Sequence, residues 1–116
     1  MRLLRSLRGY ALAATLLVSL AGIIAIAPAR AADPVEVHID NFTFAPQSIT
    51  VSKGTTVVWI NRDDTPHRVV AVKNQFKSPV LDTDETFRWT FADAGNFAYF
   101  CSMHPHMTGT VTVTEK

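Results

Sequence analysis

Side chains that bind soft metals are concentrated in one seven-residue stretch near the C-terminal end of the sequence. Cys101, the only cysteine, is followed by His104, His106 and Met107. A β-like segment precedes this stretch and another follows it, so we predict one tight loop that turns the thiol, an imidazole and the thioether toward a common centre. A second imidazole is available at His67, which follows a polar turn and, in a sandwich of strands, could reach the same pole.

This set of donors is the one that a type 1 copper site uses. Such a site has two imidazoles and one thiolate in a plane, with a weakly bound axial thioether. Cu(I) favours sulfur ligands and imidazole suits both oxidation states, so a mixed site changes its geometry little when an electron is gained or lost. We therefore expect a bound copper ion that passes single electrons, with His67 and one of the two loop histidines as its nitrogen ligands.

The same residues also admit other interpretations. Zinc binds Cys and His, but thioether is not among its usual ligands. A Cys–His nucleophile pair needs a group that orients the base, and no carboxylate lies close to Cys101 in sequence. A buried free cysteine with incidental surface histidines is the third alternative. The single cysteine excludes an internal disulfide, and an unprotected thiol is a liability in an oxidising compartment, so a metal-bound thiolate is favoured.

The elements that must position these residues are strands. From residue 35 onward apolar and polar side chains alternate, and turn residues such as Pro46, Gly54 and Gly95 interrupt the pattern. The predicted strands cover residues 35–40, 49–52, 55–60, 68–72, 85–91, 96–100 and 109–114. Short strands at this spacing indicate an all-β sandwich or barrel. Residues 73–84 are predicted as a short edge strand or an irregular loop.

Residues 1–31 have the layout of a secretory signal peptide, and residues 32–116 form the predicted domain. Arginines lie among the first eight residues, residues 9–29 carry no charge, and small residues then stand in A-x-A spacing. We place the cleavage after Ala31, with Ala29 as the alternative, and favour the general secretory route because no arginine pair precedes the apolar run. An uncleaved membrane anchor is the other interpretation. Either one places the domain in the periplasm or otherwise outside the cytoplasm.

Loss of the signal segment changes the charge of the protein. The whole chain has a net charge of +1, but the domain retains seven basic residues against ten acidic ones, a net charge of −3. Basic residues neither dominate nor cluster, which argues against nucleic acid as a partner. The acidic pair Asp63-Asp64 is predicted to lie in a solvated turn. So small a domain buries only about 60–65% of its unfolded surface, and a bound metal would add to its stability.

Three stretches of the domain resemble the cupredoxins, and among them the amicyanin, pseudoazurin and plastocyanin group. They are Phe44-x-Pro46 through Trp59-x-Asn61-x-Asp63, then Pro66-His67, and finally Phe91-x-x-x-Gly95-x-Phe97-x-Tyr99-x-Cys101-x-x-His104-x-x-Met107. The very short C-x-x-H-x-x-M spacing is the amicyanin variety of the ligand loop. The resemblance implies a Greek-key β-sandwich of about eight strands that holds one copper ion in a type 1 site.

The resemblance also implies which residues bind the metal. It assigns copper to His67, Cys101, His104 and Met107, and leaves His106 free. The chain departs from the family at Arg68, where Asn or Thr is common and an Asn can tie the two ligand segments together. A backbone N–H of this region could still reach the Cys101 sulfur.

The function implied is electron transfer between redox proteins, and not catalysis, since four protein ligands leave no open position for a substrate. An amine dehydrogenase and a c-type cytochrome are the partners that the resemblance suggests, with the protein itself a monomer. Two alternatives remain: a module that stores, delivers or senses copper, and a small copper subunit of an oxidoreductase system.

Overall fold

Eight β-strands make up the fold, in a computed structural model that describes residue 9, residues 13–27 and residues 32–116. The strands are β1 (Val35–Asp40), β2 (Thr43–Ala45), β3 (Ser48–Ser52), β4 (Thr56–Asn61), β5 (Val70–Ala71), β6 (Thr86–Thr90), β7 (Gly95–Cys101) and β8 (His104–Thr114). These described residues contain no helix. The all-β prediction is therefore confirmed.

The strands form two four-stranded sheets, in the orders β2-β1-β4-β6 and β3-β8-β7-β5. Two pairs are parallel, β1 with β4 and β3 with β8, and the other pairs are antiparallel. Chain neighbours such as β2 and β3, or β4 and β5, lie in different sheets, so the chain crosses between the sheets repeatedly. This arrangement is the predicted two-sheet sandwich.

The structure differs from the predicted elements in three places. The strand β2 was not predicted, because three residues before a proline are too few to show alternation. The predicted strand at 68–72 is reduced to Val70–Ala71, and His67 before it pairs with Leu81 only through an isolated bridge. The predicted loop from Cys101 to Met107 is wrong: β8 begins at His104, and Cys101 already pairs with His104 across a turn of two residues, Ser102 and Met103.

The core lies between the two sheets and is rich in aromatic side chains. Trp59 on β4 and Tyr99 on β7 are 0% and 1% exposed, and their rings meet edge to face with centroids 5.4 Å apart. A Cβ atom on Gly109 of β8 would overlap the Tyr99 ring, so glycine is what lets these two strands approach. Trp89 is 37% exposed on the edge strand β6.

Residues 13–27 form no part of this sandwich. Residues 13–27 belong to no strand, and their large apolar side chains, such as Leu17 and Ile23 at 94%, are exposed. In the described parts of the chain, no helix has the length and hydropathy needed to span a bilayer. The predicted cleavage positions, Ala29 and Ala31, lie outside the described residues.

Candidate metal centre

Two imidazoles and the thiol converge at one pole of the sandwich. The potential ligand atoms of His67, Cys101 and His104 all lie within 4.8 Å of one another. The Cys101 Sγ is 3.8 Å from His67 Nδ1 and 3.6 Å from His104 Nδ1. His67 and Cys101 are fully buried and His104 is partly buried. The exposed His106 is not in this cluster. The histidine that lies beside His67 and Cys101 is His104, the one that the resemblance selected.

The turn between β7 and β8 positions the thiol and the second imidazole. The pairing of these strands is regular as far as Phe100 with Thr108, then shifts, so that Cys101 pairs with His104. Such an irregularity bends the strand and re-aims its side chains. Because the turn spans only two residues, Cys101 and His104 face each other across the hairpin and point into the same space.

His67 is positioned by hydrogen bonds around Asn61, the buried last residue of β4. The Asn61 side-chain amide donates to the carbonyl oxygens of Thr65 and Leu81, both at 2.9 Å, and its oxygen accepts from Asp63 N–H at 3.0 Å. The backbone of His67 is fixed in turn by a reciprocal pair of hydrogen bonds with Leu81, at 3.1 and 2.8 Å. The candidate ligand His67 thus lies on a segment that is held by several hydrogen bonds.

Met107, the predicted axial ligand, lies on β8 three residues beyond His104. Its side chain is 5% exposed and belongs to the same hydrophobic cluster as Cys101. A buried thioether next to the pole is what the predicted site needs. By contrast, Met103 in the turn is 46% exposed.

Sequence reasoning missed the role of Asp63. This residue was expected in solvent, but it is 8% exposed, and its Oδ2 lies 2.7 Å from Nε2 of His67. Burial by itself would raise the pKa of Asp63, but hydrogen bonds from Phe42 N–H, His67 and Asn41 N–H lower that pKa below its usual value. The carboxylate is therefore ionised at neutral pH. The signal available in the sequence was an acid four residues before a candidate ligand histidine.

Phe42 was also missed, and it covers the histidines. Its ring meets the rings of His67 and His104 edge to face, with centroids 5.3 and 5.0 Å away. The outer part of the ring remains in solvent, since the residue is 47% exposed. Phe42 is thus the aromatic residue between the two imidazoles and the surface.

Arg68 connects the two ligand segments through its backbone. Its N–H donates to the Cys101 Sγ at 3.3 Å, as expected for a chain without Asn at this position. The guanidinium group donates to the Ser78 carbonyl oxygen from Nε and from a terminal nitrogen, at 3.3 and 3.1 Å. The side chain therefore ties the His67 segment to residues 78–81 rather than to the Cys101 hairpin.

The chemistry of this donor set fits copper. A thiolate with two imidazoles is the main ligand set of a type 1 site, and the buried thioether of Met107 would supply the weak fourth ligand if copper is bound. Zinc would use the same nitrogen and sulfur atoms but has no preference for the thioether. The fold and the donors together define the class of small copper-binding β-sandwich domains.

Comparison with known proteins agrees with this class. The family model of the cupredoxin-like domain matches residues 11–113, and the chain belongs to the cupredoxin family, whose cofactor is one type 1 copper ion. Amicyanin from Paracoccus versutus is 34% identical over 87 residues, which cover 71% of this chain and 66% of that protein. Plastocyanins are also among the relatives.

Solved structures show the same likeness. A Cu-containing nitrite reductase from Thermus scotoductus SA-01 superimposes with a TM-score of 0.68 and 33% identity, covering 72% of this chain and 23% of that chain. A purple cupredoxin from Nitrosopumilus maritimus gives a TM-score of 0.66 and 32% identity, with coverages of 69% and 99%. The chain therefore spans about two thirds of the Paracoccus amicyanin and under a quarter of the nitrite reductase.

Proposed function

We propose that the protein carries single electrons between redox proteins outside the cytoplasm, with copper held by His67, Cys101, His104 and Met107. The observation that carries this proposal is the convergence of two imidazole nitrogens on a buried cysteine sulfur. Copper, when bound, supplies the Cu(I)/Cu(II) couple. The chain supplies a ligand set that satisfies both states, so little rearrangement accompanies transfer.

The surroundings of the site suit a carrier better than a catalyst. Four protein ligands would leave no position for a substrate, and burial of His67, Cys101 and Met107 keeps water away. The hydrogen bonds to the His67 segment hold the donor atoms in place whichever oxidation state is present. A fixed, dry site of this kind favours electron transfer over substrate chemistry and over easy release of the metal.

The route for electrons that we propose passes through His104. It is the only one of the three clustered side chains that reaches the surface in the described part of the chain. Two exposed apolar side chains lie near this imidazole. The Phe42 ring meets it edge to face, and Met103 directly precedes it in sequence. A partner that docks on this apolar pole brings its own redox centre close to the copper. An amine dehydrogenase and a c-type cytochrome are proposed as redox partners by resemblance to amicyanin, with the carrier acting as a monomer.

We also propose that residues 1–31 are a signal peptide and residues 32–116 the exported domain. Two features support this division. The first strand begins at Val35, shortly after the proposed cleavage site. The described residues 13–27 belong to no strand and leave their apolar side chains exposed.

Cyclic voltammetry of the copper-loaded protein, with a chelator competition in each oxidation state, tests this function. We expect a reversible one-electron wave and retention of copper in both states. The zinc-loaded protein is the matched control, because the same ligands are filled and no wave should appear. An irreversible wave, or rapid loss of Cu(I) to the chelator, would instead indicate a protein that stores or delivers copper.

A further inference from the structure

One buried carboxylate contacts both the first ligand histidine and the aromatic residue that covers the site. Asp63 lies in the turn after β4 and is 8% exposed. Its Oδ2 is 2.7 Å from His67 Nε2. The same carboxylate accepts hydrogen bonds from Asn41 N–H at 2.6 Å and Phe42 N–H at 3.0 Å. Asp63 therefore links the turn after β4 to two other places, the hairpin at residues 41–42 and the ring of His67.

The contact with His67 determines which nitrogen carries the proton. His67 Nδ1 faces Cys101 Sγ and the metal-binding pole, so it must be unprotonated when it binds a metal. The proton then resides on Nε2, the nitrogen that faces Asp63. A carboxylate on the outer nitrogen of a ligand histidine fixes its tautomer and ring orientation and makes it a stronger donor.

The contacts with the hairpin hold an unfavourable backbone conformation. Asn41 and Phe42 form the turn between β1 and β2, and both have positive φ angles, 49° and 56°. This region is uncommon for residues other than glycine and most unusual for a bulky one such as Phe. Both N–H groups of the turn donate to Asp63, one to each oxygen. The carboxylate therefore stabilises the conformation that presents the Phe42 ring to the imidazoles.

We propose that Asp63 is a positioning residue of the metal centre, which fixes the orientation and tautomer of His67 and holds the Phe42 ring over His67 and His104. Its negative charge, acting through His67, favours Cu(II) over Cu(I) and lowers the reduction potential. This inference rests on the proposed role of His67 as a ligand. It adds a residue that binds neither the metal nor a partner and yet sets the properties of the site.

The hydrogen bond itself can be tested in the wild-type protein without any substitution. Nitrogen-15 NMR of the histidine rings, in the copper-free and the diamagnetic Cu(I) forms, should show His67 protonated at Nε2 with a slowly exchanging proton. Nuclear Overhauser contacts should connect the Phe42 ring with both imidazoles. A His67 ring without a proton on Nε2, or an Nε2 proton that exchanges as fast as that of the exposed His106, would overturn the proposal.

The variant Asp63→Asn tests the effect on the metal, with Asp64→Asn as the matched control. Both remove one negative charge from the same turn, but Asp64 is exposed and does not contact His67. We expect Asp63→Asn to raise the reduction potential, to weaken Cu(II) binding about 10- to 100-fold, and to lose the Phe42 contacts. Asp64→Asn should leave all three close to wild type. Equal effects of the two variants would overturn the proposal.

Failure of this inference is distinguishable from failure of the proposed function. If the copper couple is reversible and Asp63→Asn leaves it unchanged, the role of Asp63 is refuted and the proposed electron-carrier function stands. If the Nε2 proton of His67 is protected but the protein shows no reversible couple, the hydrogen bond to Asp63 is supported and the electron-transfer function is refuted. If Asp63→Asn does not fold, the wild-type NMR measurement alone decides whether the predicted tautomer and contacts exist.

Discussion

The backbone N–H of Arg68 donates a hydrogen bond of 3.3 Å to the sulfur of Cys101, across a sequence separation of 33 residues. The donor immediately follows His67, so the bond joins the two chain segments that carry the proposed ligands. Hydrogen bonding to the sulfur is one of the features that tune the potential of a type 1 site. The backbone of Arg68 thus connects the His67 and Cys101 segments, and no side-chain hydrogen bond from this residue is needed for that connection.

Replacing Cys101 with Ser should abolish the intense colour of the Cu(II) protein, because the colour of a type 1 site comes from the thiolate. The fold should survive, with copper bound weakly by the histidines. Visible absorption and a copper titration measure both effects. Ser102→Ala, which alters an exposed neighbour, is the control and should remain coloured. A Cys101→Ser protein of undiminished colour would show that the cysteine is not a ligand.

Met107→Gln should keep copper and lower the reduction potential. An amide oxygen is a harder ligand than a thioether, so it favours Cu(II) over Cu(I). The matched control is Met103→Gln, which makes the same change at a methionine that is 46% exposed in the turn. Its potential should stay near wild type. If the two variants have the same potential, Met107 is not the axial ligand.

Gly109→Ala should destabilise the protein by about 1–3 kcal/mol, the usual cost of overpacking. The added Cβ would lie 2.8 Å from Cε2 of Tyr99 and still closer to other atoms of that ring, and both residues are on paired strands. Urea unfolding of the copper-free protein measures the loss. In a Tyr99→Leu background, the same substitution should cost much less. An equal cost in both backgrounds would mean that the clash with Tyr99 is not the cause.

Alkaline pH should destabilise the fold through Tyr99. Burial raises the pKa of its phenol from 10.0 to about 12. Between these values the unfolded chain releases the proton and the folded chain keeps it, so the free energy of unfolding falls as pH rises. The fall should reach about 2 kcal/mol by pH 12.

Urea unfolding across this pH range, compared with Tyr99→Phe, checks the expectation. Other groups titrate in the same range in both proteins, so the difference between the two slopes isolates the phenol. Parallel slopes for the two proteins would contradict a buried phenol with a raised pKa.

Local patterns were enough to predict most of the strands. Alternation placed β1 at the residues where it lies, and placed β3, β4, β6 and β7 within one or two residues of their ends. For β8 it predicted residues 109–114 correctly but missed the first five residues of the strand, because the candidate ligand residues there do not alternate and resemble a loop. The pairing that makes them a strand is a long-range property of the hairpin.

The ligand cluster was predictable, but its surroundings were not. Side-chain chemistry and spacing pointed to Cys101 and the histidines, and the family resemblance selected His104. Asp63 carried only a weak signal, its position four residues before His67, since an acid in a polar turn resembles a solvated one. Phe42 carried none. Their function depends on contacts between segments 21 residues apart, which no local pattern encodes.

The visible spectrum of the protein during titration with Cu(II), followed by reduction with ascorbate, tests the central claim most directly. We expect an intense thiolate-to-Cu(II) band that saturates at one equivalent, disappears with ascorbate and returns with an oxidant. Such a result would establish a cysteine-ligated copper that cycles between two oxidation states. No band, or copper that binds only as Cu(I), would contradict the electron-carrier account.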